Sequence, residues 1–236
     1  MKFYFDTEFT GLHQDTTLIS IGIVSEFGQS FYAELTDFDN SQVNDWIQEH
    51  VIDNLKFDRP VYYKFDTDDE RGFYNVEMCD RSEEVAIKLL EWFNDILCMD
   101  DAIMCADCGH YDFVLFINLF KSIMDDEDSG NILPSFIVPY YDELCTRIYN
   151  SKALDHEVTD HEEAFDINRE YVLEMLYSFI LNQDAKFTEH VSMFLLANEL
   201  YKKAQNGPKH NALHDAYVAA CIDYFITISD GIYSYD

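Results

Sequence analysis

The sequence predicts an α/β fold with a mixed sheet, and three observations support this fold class. Short segments rich in aromatic and branched residues open the chain, and a tight turn between two of them is typical of antiparallel strands. Further along, short apolar segments alternate with segments of helical periodicity, which is typical of parallel strands joined by helices. The 236 residues, of which 48% are hydrophobic, are enough for one domain with a packed core.

Three strands are predicted at the beginning of the chain, over Lys2–Asp6, Thr17–Val24 and Gln29–Leu35. All three are rich in the aromatic and branched residues that favour strands. The segment Glu26–Gln29 contains a glycine and fits a hairpin turn between the second and the third. We therefore expect three antiparallel strands at the N-terminus.

Helices and two further strands are predicted after the hairpin. Ser41 begins one helix and Ser82 begins another, because apolar residues recur at helical spacing after each of them. The other predicted elements are, in chain order, a strand over Ala102–Ala106, a helix over Phe113–Met124, a strand over Phe136–Tyr140, and helices over Arg169–Leu181, Thr188–Gln205 and His210–Ser229. Pro139 indicates an edge position or an early end for its strand, because proline cannot donate a ladder hydrogen bond.

The charge balance limits how the protein can bind nucleic acid. The chain has 15 Lys and Arg residues against 46 Asp and Glu residues, which gives a formal net charge of −31. This charge excludes a sequence-independent basic coat for DNA, because phosphates would be repelled over most of the surface. A local nucleic-acid site remains open if bound divalent cations neutralise a cluster of carboxylates.

We expect a single domain over residues 1–236, with acidic insertions near 56–80 and 125–168. No apolar run approaches the roughly 18 residues of a membrane helix. Asp6 follows the N-terminus too closely for a secretory signal peptide, and six cysteines in this length do not make a disulfide framework. The expectation is a soluble cytoplasmic protein with no membrane partner.

Two carboxylates end the first predicted strand. Residues i and i+2 of a strand point to the same face, so Asp6 and Glu8 are expected side by side. Like charges at this distance repel unless a cation or a proton compensates them. A solvated strand end with two ordinary acids is the alternative.

A third carboxylate, Asp112, follows the predicted strand over Ala102–Ala106 and lies where an apolar helix starts. An aspartate near a helix N-terminus is favoured in itself, so capping is the alternative to a functional role.

The last polar segment opens the C-terminal helix after Gly207-Pro208. It contains His210 and Asp215, and His214 competes with His210 for the same role. Small residues follow on this helix and allow it to approach a sheet closely. They are Ala212, Ala216, Ala219 and Ala220.

Together, these segments suit a site for two divalent cations. Mg²⁺ and Mn²⁺ prefer carboxylate and water oxygens, and two such ions stabilise the attacking and leaving oxygens of a phosphodiester displacement. A histidine titrates near neutrality and can take the proton of an attacking water.

The three segments resemble the three motifs of the DEDDh superfamily of 3′–5′ exonucleases. The matching segments are Asp6-Thr7-Glu8-Phe9-Thr10-Gly11-Leu12, Tyr111-Asp112 followed by Leu115, and His210-Asn211-Ala212-Leu213-His214-Asp215. Phe9 departs from the threonine that is commonest at its position, although phenylalanine also occurs in the deadenylase branch. The stretch Leu18–Val24 looks most similar to the compact single-domain exoribonucleases, which favours RNA.

This resemblance implies an RNase H-like fold with a five-stranded mixed sheet flanked by helices. It also implies site residues. Asp6, Glu8, Asp112 and Asp215 would bind two Mg²⁺ or Mn²⁺ ions, His210 would be the general base, and Phe9, Thr10 and Leu12 would hold the terminal nucleotide.

The implied activity is exoribonuclease action on single-stranded or overhanging 3′ ends, with release of 5′-mononucleotides. A DNA-directed 3′–5′ exonuclease is the alternative within the enzyme class, because no residue here identifies a contact to the 2′-hydroxyl. The alternative from another class is a catalytically idle, acidic RNase H-like module that binds a basic protein. The sequence also allows the chain to form a homodimer.

Overall fold

The computed structural model contains one sheet of seven strands, with helices on both faces. It describes residues 1–66, 74–97, 101–106, 110–121, 123, 134–143, 201–204 and 210–233. The strands are β1 (Lys2–Phe9), β2 (Leu18–Ser25), β3 (Ser30–Leu35), β4 (Val61–Asp66), β5 (Tyr74–Asp80), β6 (Ala102–Ala106) and β7 (Ile137–Glu143). Its α-helices of six or more described residues are α1 (Asp45–His50), α2 (Ser82–Ile96), α3 (His110–Lys121) and α4 (Ala212–Tyr233).

The sheet is mixed, as the sequence predicts. Its strand order is β4-β5-β3-β2-β1-β6-β7. Strands β1, β2 and β3 are antiparallel neighbours, whereas β6 pairs with β1 in parallel and β7 pairs with β6 in parallel. Strand β7, which contains Pro139, lies at one edge of the sheet, as expected for a strand with proline.

The prediction of five strands was wrong, because β4 and β5 extend the sheet beyond β3. Strand β5 pairs with β3 in parallel, and β4 pairs with β5 in the antiparallel sense at the other edge. Both strands lie within the stretch 56–80, where an acidic insertion was expected. In β5 the alternation of apolar and polar residues is short, because only Val76 and Met78 are buried between polar neighbours. The acidic residues before β5 make this short pattern hard to recognise in the sequence.

The main core lies between one face of the sheet and the helices α2 and α3. Alternate residues point to this face on β1 (Phe3, Phe5), β2 (Ile21, Ile23) and β3 (Phe31, Ala33, Leu35), because side chains alternate along a strand. The largest fully buried side chains of this core are Phe3, Phe5, Ile21, Ile23, Phe31, Trp92, Phe93, Phe116 and Phe120. Helix α4 packs across β1 and β2.

The helix predicted from Ser41 is interrupted in the structure. Short 3₁₀ turns at Asn40–Gln42 and Ile52–Asn54 flank α1. The Asn44 side chain accepts a hydrogen bond from the Ile47 backbone N–H at 2.9 Å and so begins α1 anew. The apolar face is nevertheless buried, because Ile47 and Val51 pack with Ile19.

Two other predictions concern residues that the structure does not describe, or describes in part. The helix over Arg169–Leu181 and most of the stretch 125–168 lie outside the described residues, and of the helix over Thr188–Gln205 only residues 201–204 are described, as helical. Within the described part of the chain, no helix has the length and apolar character that crossing a membrane requires.

Candidate active site

Three carboxylates from two distant parts of the chain meet at the end of β1. Asp6 and Glu8 come from β1 and Asp215 comes from the first turn of α4. One oxygen from each lies within 4.8 Å of the others, and all three side chains are partly exposed. We call these three residues the acidic cluster.

Gly22 allows the acidic cluster to form. It lies opposite Asp6 in the β1–β2 ladder. A Cβ atom at this position would lie 2.2 Å from the Leu213 backbone nitrogen, so the start of α4 rests directly on the strand. The buried Ala212 and Ala216 permit the same close approach. This close packing of α4 on the sheet places the Asp215 side chain near Asp6.

Asp112 contacts the same strand end through Thr7, the residue between Asp6 and Glu8. Thr7 points away from Asp6 and Glu8, because neighbouring side chains of a strand alternate. Its backbone N–H and its hydroxyl donate to Asp112 Oδ1 at 3.1 Å and 2.5 Å. Asp112 is buried, at 7% exposure, and belongs to the first turn of α3. Asp112 is therefore hydrogen-bonded to the strand end that carries Asp6 and Glu8, but it is not one of the three carboxylates of the acidic cluster.

His210 precedes α4 in a left-handed backbone conformation, with φ +57°. Its ring contacts two aromatic rings of α1, with centroid distances of 5.2 Å to Trp46 and 6.0 Å to His50. Trp46 and His50 stack on one another at 4.7 Å. His214, the competing histidine, is buried, and its backbone N–H donates to the Asn211 side chain at 3.3 Å.

A hydrogen-bond network that begins on β3 supports the first turn of α4. The Tyr32 hydroxyl donates to Glu34 Oε1 at 2.7 Å and accepts from Asn211 Nδ2 at 3.1 Å. The Asn211 carbonyl in turn accepts from the Asp215 N–H at 3.0 Å. The network thus reaches the backbone of a member of the acidic cluster.

Glu34 is the buried charge of this network, at 1% exposure. Burial raises the pKa of its carboxyl above the ordinary value, and hydrogen bonds from Tyr32 and from the backbone of Lys56 and Phe57 oppose this shift. Burial and the charge of Glu34 raise the pKa of the Tyr32 hydroxyl, and the charge of Glu8 adds to this effect. The hydroxyl therefore stays protonated and can donate to Glu34.

The three residues expected to hold the terminal nucleotide occupy different environments. Leu12 is the most exposed large apolar residue described, at 76%. The Phe9 ring stacks on Tyr111 with centroids 5.4 Å apart. Thr10 is buried, and its hydroxyl accepts from the Thr17 backbone N–H at 2.9 Å and donates to the Gln42 side chain. The Thr10 side chain therefore shapes the loop after β1.

The comparison with known families decides the classification. Residues 1–226 match the model of the 3′-5′ exoribonuclease Rv2179c-like domain. The chain belongs to this family. Membership in the Rv2179c-like family agrees with the exoribonuclease that the motifs indicate.

Two curated relatives of this Rv2179c-like chain come from Mycobacterium tuberculosis. They are 3′-5′ exoribonuclease Rv2179c of strain ATCC 25618 / H37Rv and 3′-5′ exoribonuclease MT2234.1 of strain CDC 1551 / Oshkosh. Each is 40% identical over 55 residues, which is 23% of this chain and 33% of the relative. The matching segment therefore spans about a third of the length of these relatives.

Sequence reasoning missed several residues around the site of this Rv2179c-like domain. Trp46 and His50 have helical i, i+4 spacing, which places both on one side of a helix and is a weak signal. Glu34 stands inside the apolar segment 30–35, and a lone acid in a buried strand indicates a structural or functional hydrogen-bond network.

Proposed function

We propose that this chain is a metal-dependent 3′–5′ exoribonuclease of the DEDDh type, with an RNase H-like fold. Its substrates are single-stranded or overhanging 3′ ends of RNA, and its products are 5′-mononucleotides. The observation that carries the proposal is the acidic cluster, because three carboxylates within 4.8 Å suit a cation and are costly without one.

The donor set of the site fits Mg²⁺ or Mn²⁺. These hard cations take carboxylate oxygens, and the acidic cluster supplies three carboxylates from two elements. Asp6, Glu8 and Asp215, with Asp112 beside Thr7, would hold two ions. When bound, such a pair stabilises the charge on the attacking and leaving oxygens of a phosphodiester displacement.

His210 is proposed as the general base. It takes the proton of the water whose oxygen forms the new bond to phosphorus, while the bond from phosphorus to the 3′-oxygen of the preceding nucleotide breaks. The leaving 3′-oxygen takes a proton from solvent water and becomes a hydroxyl, and the terminal nucleotide leaves as a 5′-monophosphate. The ring contact with Trp46 orients the His210 imidazole.

Phe9 and Leu12 are proposed to hold the terminal nucleotide. An exposed Leu12 can press against a base, and the stacked rings of Phe9 and Tyr111 extend this apolar surface. Thr10 acts through the loop that its hydroxyl fixes. Apolar and stacking contacts tolerate every base, which suits an enzyme that removes residues in succession.

The test uses 5′-labelled RNA and DNA single strands of the same sequence, with Mn²⁺ and with or without a chelator. We expect a ladder of RNA products shortened from the 3′ end, less product from DNA, and none with chelator. Asp215→Asn should lower the rate by about a hundredfold or more, because it removes a ligand charge. Glu84→Gln, at an exposed position of α2, is the matched control and should retain the wild-type rate.

Two results would contradict the proposal. Degradation that chelator does not stop would exclude metal dependence, and full activity of Asp215→Asn would exclude the acidic cluster as the site. Equal rates on RNA and DNA would mean that the protein is a 3′–5′ exonuclease of broader substrate range and not an exoribonuclease.

A further inference from the structure

A pocket of about 360 Å³ opens beside the acidic cluster, and none of the roles assigned above uses it. Six residues from four parts of the chain line it. They are Tyr32, Asn54, Lys56, Glu77, Asn211 and Leu213. We call it the lysine pocket.

The lysine pocket continues a row of residues that starts at the acidic cluster. Asp6 pairs with Gly22, Gly22 pairs with Tyr32, and Tyr32 pairs with Glu77, across four adjacent strands. Residues paired in this way point to the same face of the sheet, and adjacent strands lie about 4.8 Å apart. The backbone of Tyr32 is therefore roughly 10 Å from that of Asp6.

The start of α4 borders both the acidic cluster and the lysine pocket. Asn211 and Leu213 line the pocket, while Asp215 on the same turn belongs to the cluster. The first turn of α4 therefore lies on Gly22, between the acidic cluster and the pocket, and contributes residues to both.

Lys56 is the cationic residue of the pocket lining, in a chain with 15 Lys and Arg residues. Its side chain is about half exposed, at 52%, and its ammonium forms an ion pair with Glu77. An ammonium group has three donors, so a second anion can bind while this ion pair persists.

The loop that carries Lys56 is held rigidly. Glu34 accepts hydrogen bonds from the backbone N–H groups of Lys56 at 2.5 Å and of Phe57 at 3.0 Å. The buried Glu34 therefore holds in place both the loop with Lys56 and, through Tyr32, the start of α4, which line two sides of the pocket.

We propose that the lysine pocket binds the sugar–phosphate of the nucleotide on the 5′ side of the scissile bond, with Lys56 contacting a phosphate. This inference rests on the proposed exoribonuclease function and adds a second subsite to it. The amide groups of Asn54 and Asn211 offer polar contacts suited to a ribose. Glu77 stays paired with Lys56 when RNA binds, and its negative charge weakens the attraction of Lys56 for the phosphate.

The test compares two substrates with Mn²⁺, a trinucleotide of RNA and the 5′-(p-nitrophenyl) ester of uridine monophosphate. Hydrolysis of either releases a 5′-mononucleotide, but the ester has p-nitrophenol in place of the preceding nucleotide. Lys56→Ala should lower the ratio of kcat/KM on the trinucleotide to kcat/KM on the ester by about tenfold, mainly through KM. Glu77→Gln should change this ratio in the opposite direction, because it releases Lys56 from the ion pair.

Lys88→Ala is the matched control. Lys88 also forms an ion pair, with Glu91 at 2.7 Å, but it lies on α2 away from the pocket. Its substitution should leave the ratio unchanged, and circular dichroism and thermal melting establish that each variant is folded.

The outcomes separate the two proposals. If the wild-type protein hydrolyses neither substrate, the exoribonuclease function fails and the subsite fails with it. If the wild-type protein hydrolyses both, and Lys56→Ala lowers both equally or changes neither, the function stands and the subsite is wrong.

Discussion

The Thr7 side chain points the opposite way from those of Asp6 and Glu8, its neighbours at the end of β1. Asp6 and Glu8 point towards α4, whereas the hydroxyl of Thr7 points towards α3 and donates to Asp112. Any shift of β1 by one residue would exchange these faces and disperse the acidic cluster. The alternation of side chains along a strand therefore explains why Asp6 and Glu8 lie close together and why Thr7, between them, contacts Asp112.

The two histidines before and within α4 differ in ways that predict different consequences of substitution. His210 is partly exposed beside Trp46, so His210→Ala should preserve the fold and lower kcat by about a hundredfold or more, with a smaller change in KM. His214 is buried, so His214→Ala should lower the free energy of unfolding first. Steady-state kinetics and thermal melting measure the two effects.

Added imidazole distinguishes a base from a structural residue. Imidazole in solution should partly restore the activity of His210→Ala, because it can take the proton that the missing side chain took. A folded His214→Ala protein with a lower kcat than His210→Ala would reverse the assignment.

At the scale of elements, the position of α4 on the sheet decides whether a site exists. Polar contacts along this helix help to hold it on the sheet. Near its start, Asn211 donates to the Tyr32 hydroxyl, and near its middle, Asp223 accepts from Tyr4 and from Lys2. Burial and the charge of Asp223 raise the pKa of the Tyr4 hydroxyl, which keeps this donor protonated.

Gly22→Ala tests the close approach between α4 and β2. The new methyl group would meet backbone atoms of Ala212 and Leu213 at 2.2–2.3 Å, and backbone cannot rotate away as a side chain can. The first turn of α4 must move, and Asp215 moves with it. We expect a loss of about 1–3 kcal/mol in the free energy of unfolding and weaker Mn²⁺ binding by calorimetry.

Gly28→Ala is the matched control for this variant. Gly28 has φ +91° in the turn between β2 and β3, so alanine there costs about 1–2 kcal/mol through backbone strain. It should lower the melting temperature without changing Mn²⁺ affinity. Equal losses of affinity in both variants would show that stability in general, and not the position of α4, controls the site.

The strands were predictable from the sequence where apolar alternation is undisturbed. The five strands expected from local pattern all exist, including the edge strand with Pro139. Strands β4 and β5 were not predicted, because their stability comes from pairing with β3 and burial of Val76 and Met78. Such non-local contacts cannot be recognised from the local residue pattern of an acidic segment.

The candidate site was predictable only in part, for a similar reason. Spacing along one strand places Asp6 and Glu8 side by side, and the small residues of α4 indicate close packing against the sheet. The contact of His210 with α1 and the network through Glu34 join residues more than a hundred positions apart. No local pattern encodes these contacts.

At the scale of the whole molecule, the net charge of −31 opposes the approach of RNA. Surface charges farther than about 8 Å from a phosphate are largely screened at physiological salt, whereas groups in direct contact are not. Binding therefore depends on local contacts such as cations at the acidic cluster and Lys56 in the lysine pocket. Long-range attraction contributes nothing favourable.

This balance predicts an unusual response to monovalent salt. With Mn²⁺ held at saturation, kcat/KM on a short RNA should rise by on the order of two- to tenfold between about 10 mM and about 150 mM KCl, because the screening length falls from about 30 Å to about 8 Å. The p-nitrophenyl ester carries less charge and serves as the control, with a smaller rise. Basic nucleic-acid-binding proteins lose affinity over the same range. A fall in kcat/KM with salt would mean that a locally positive surface, rather than the total charge of −31, governs the encounter with RNA.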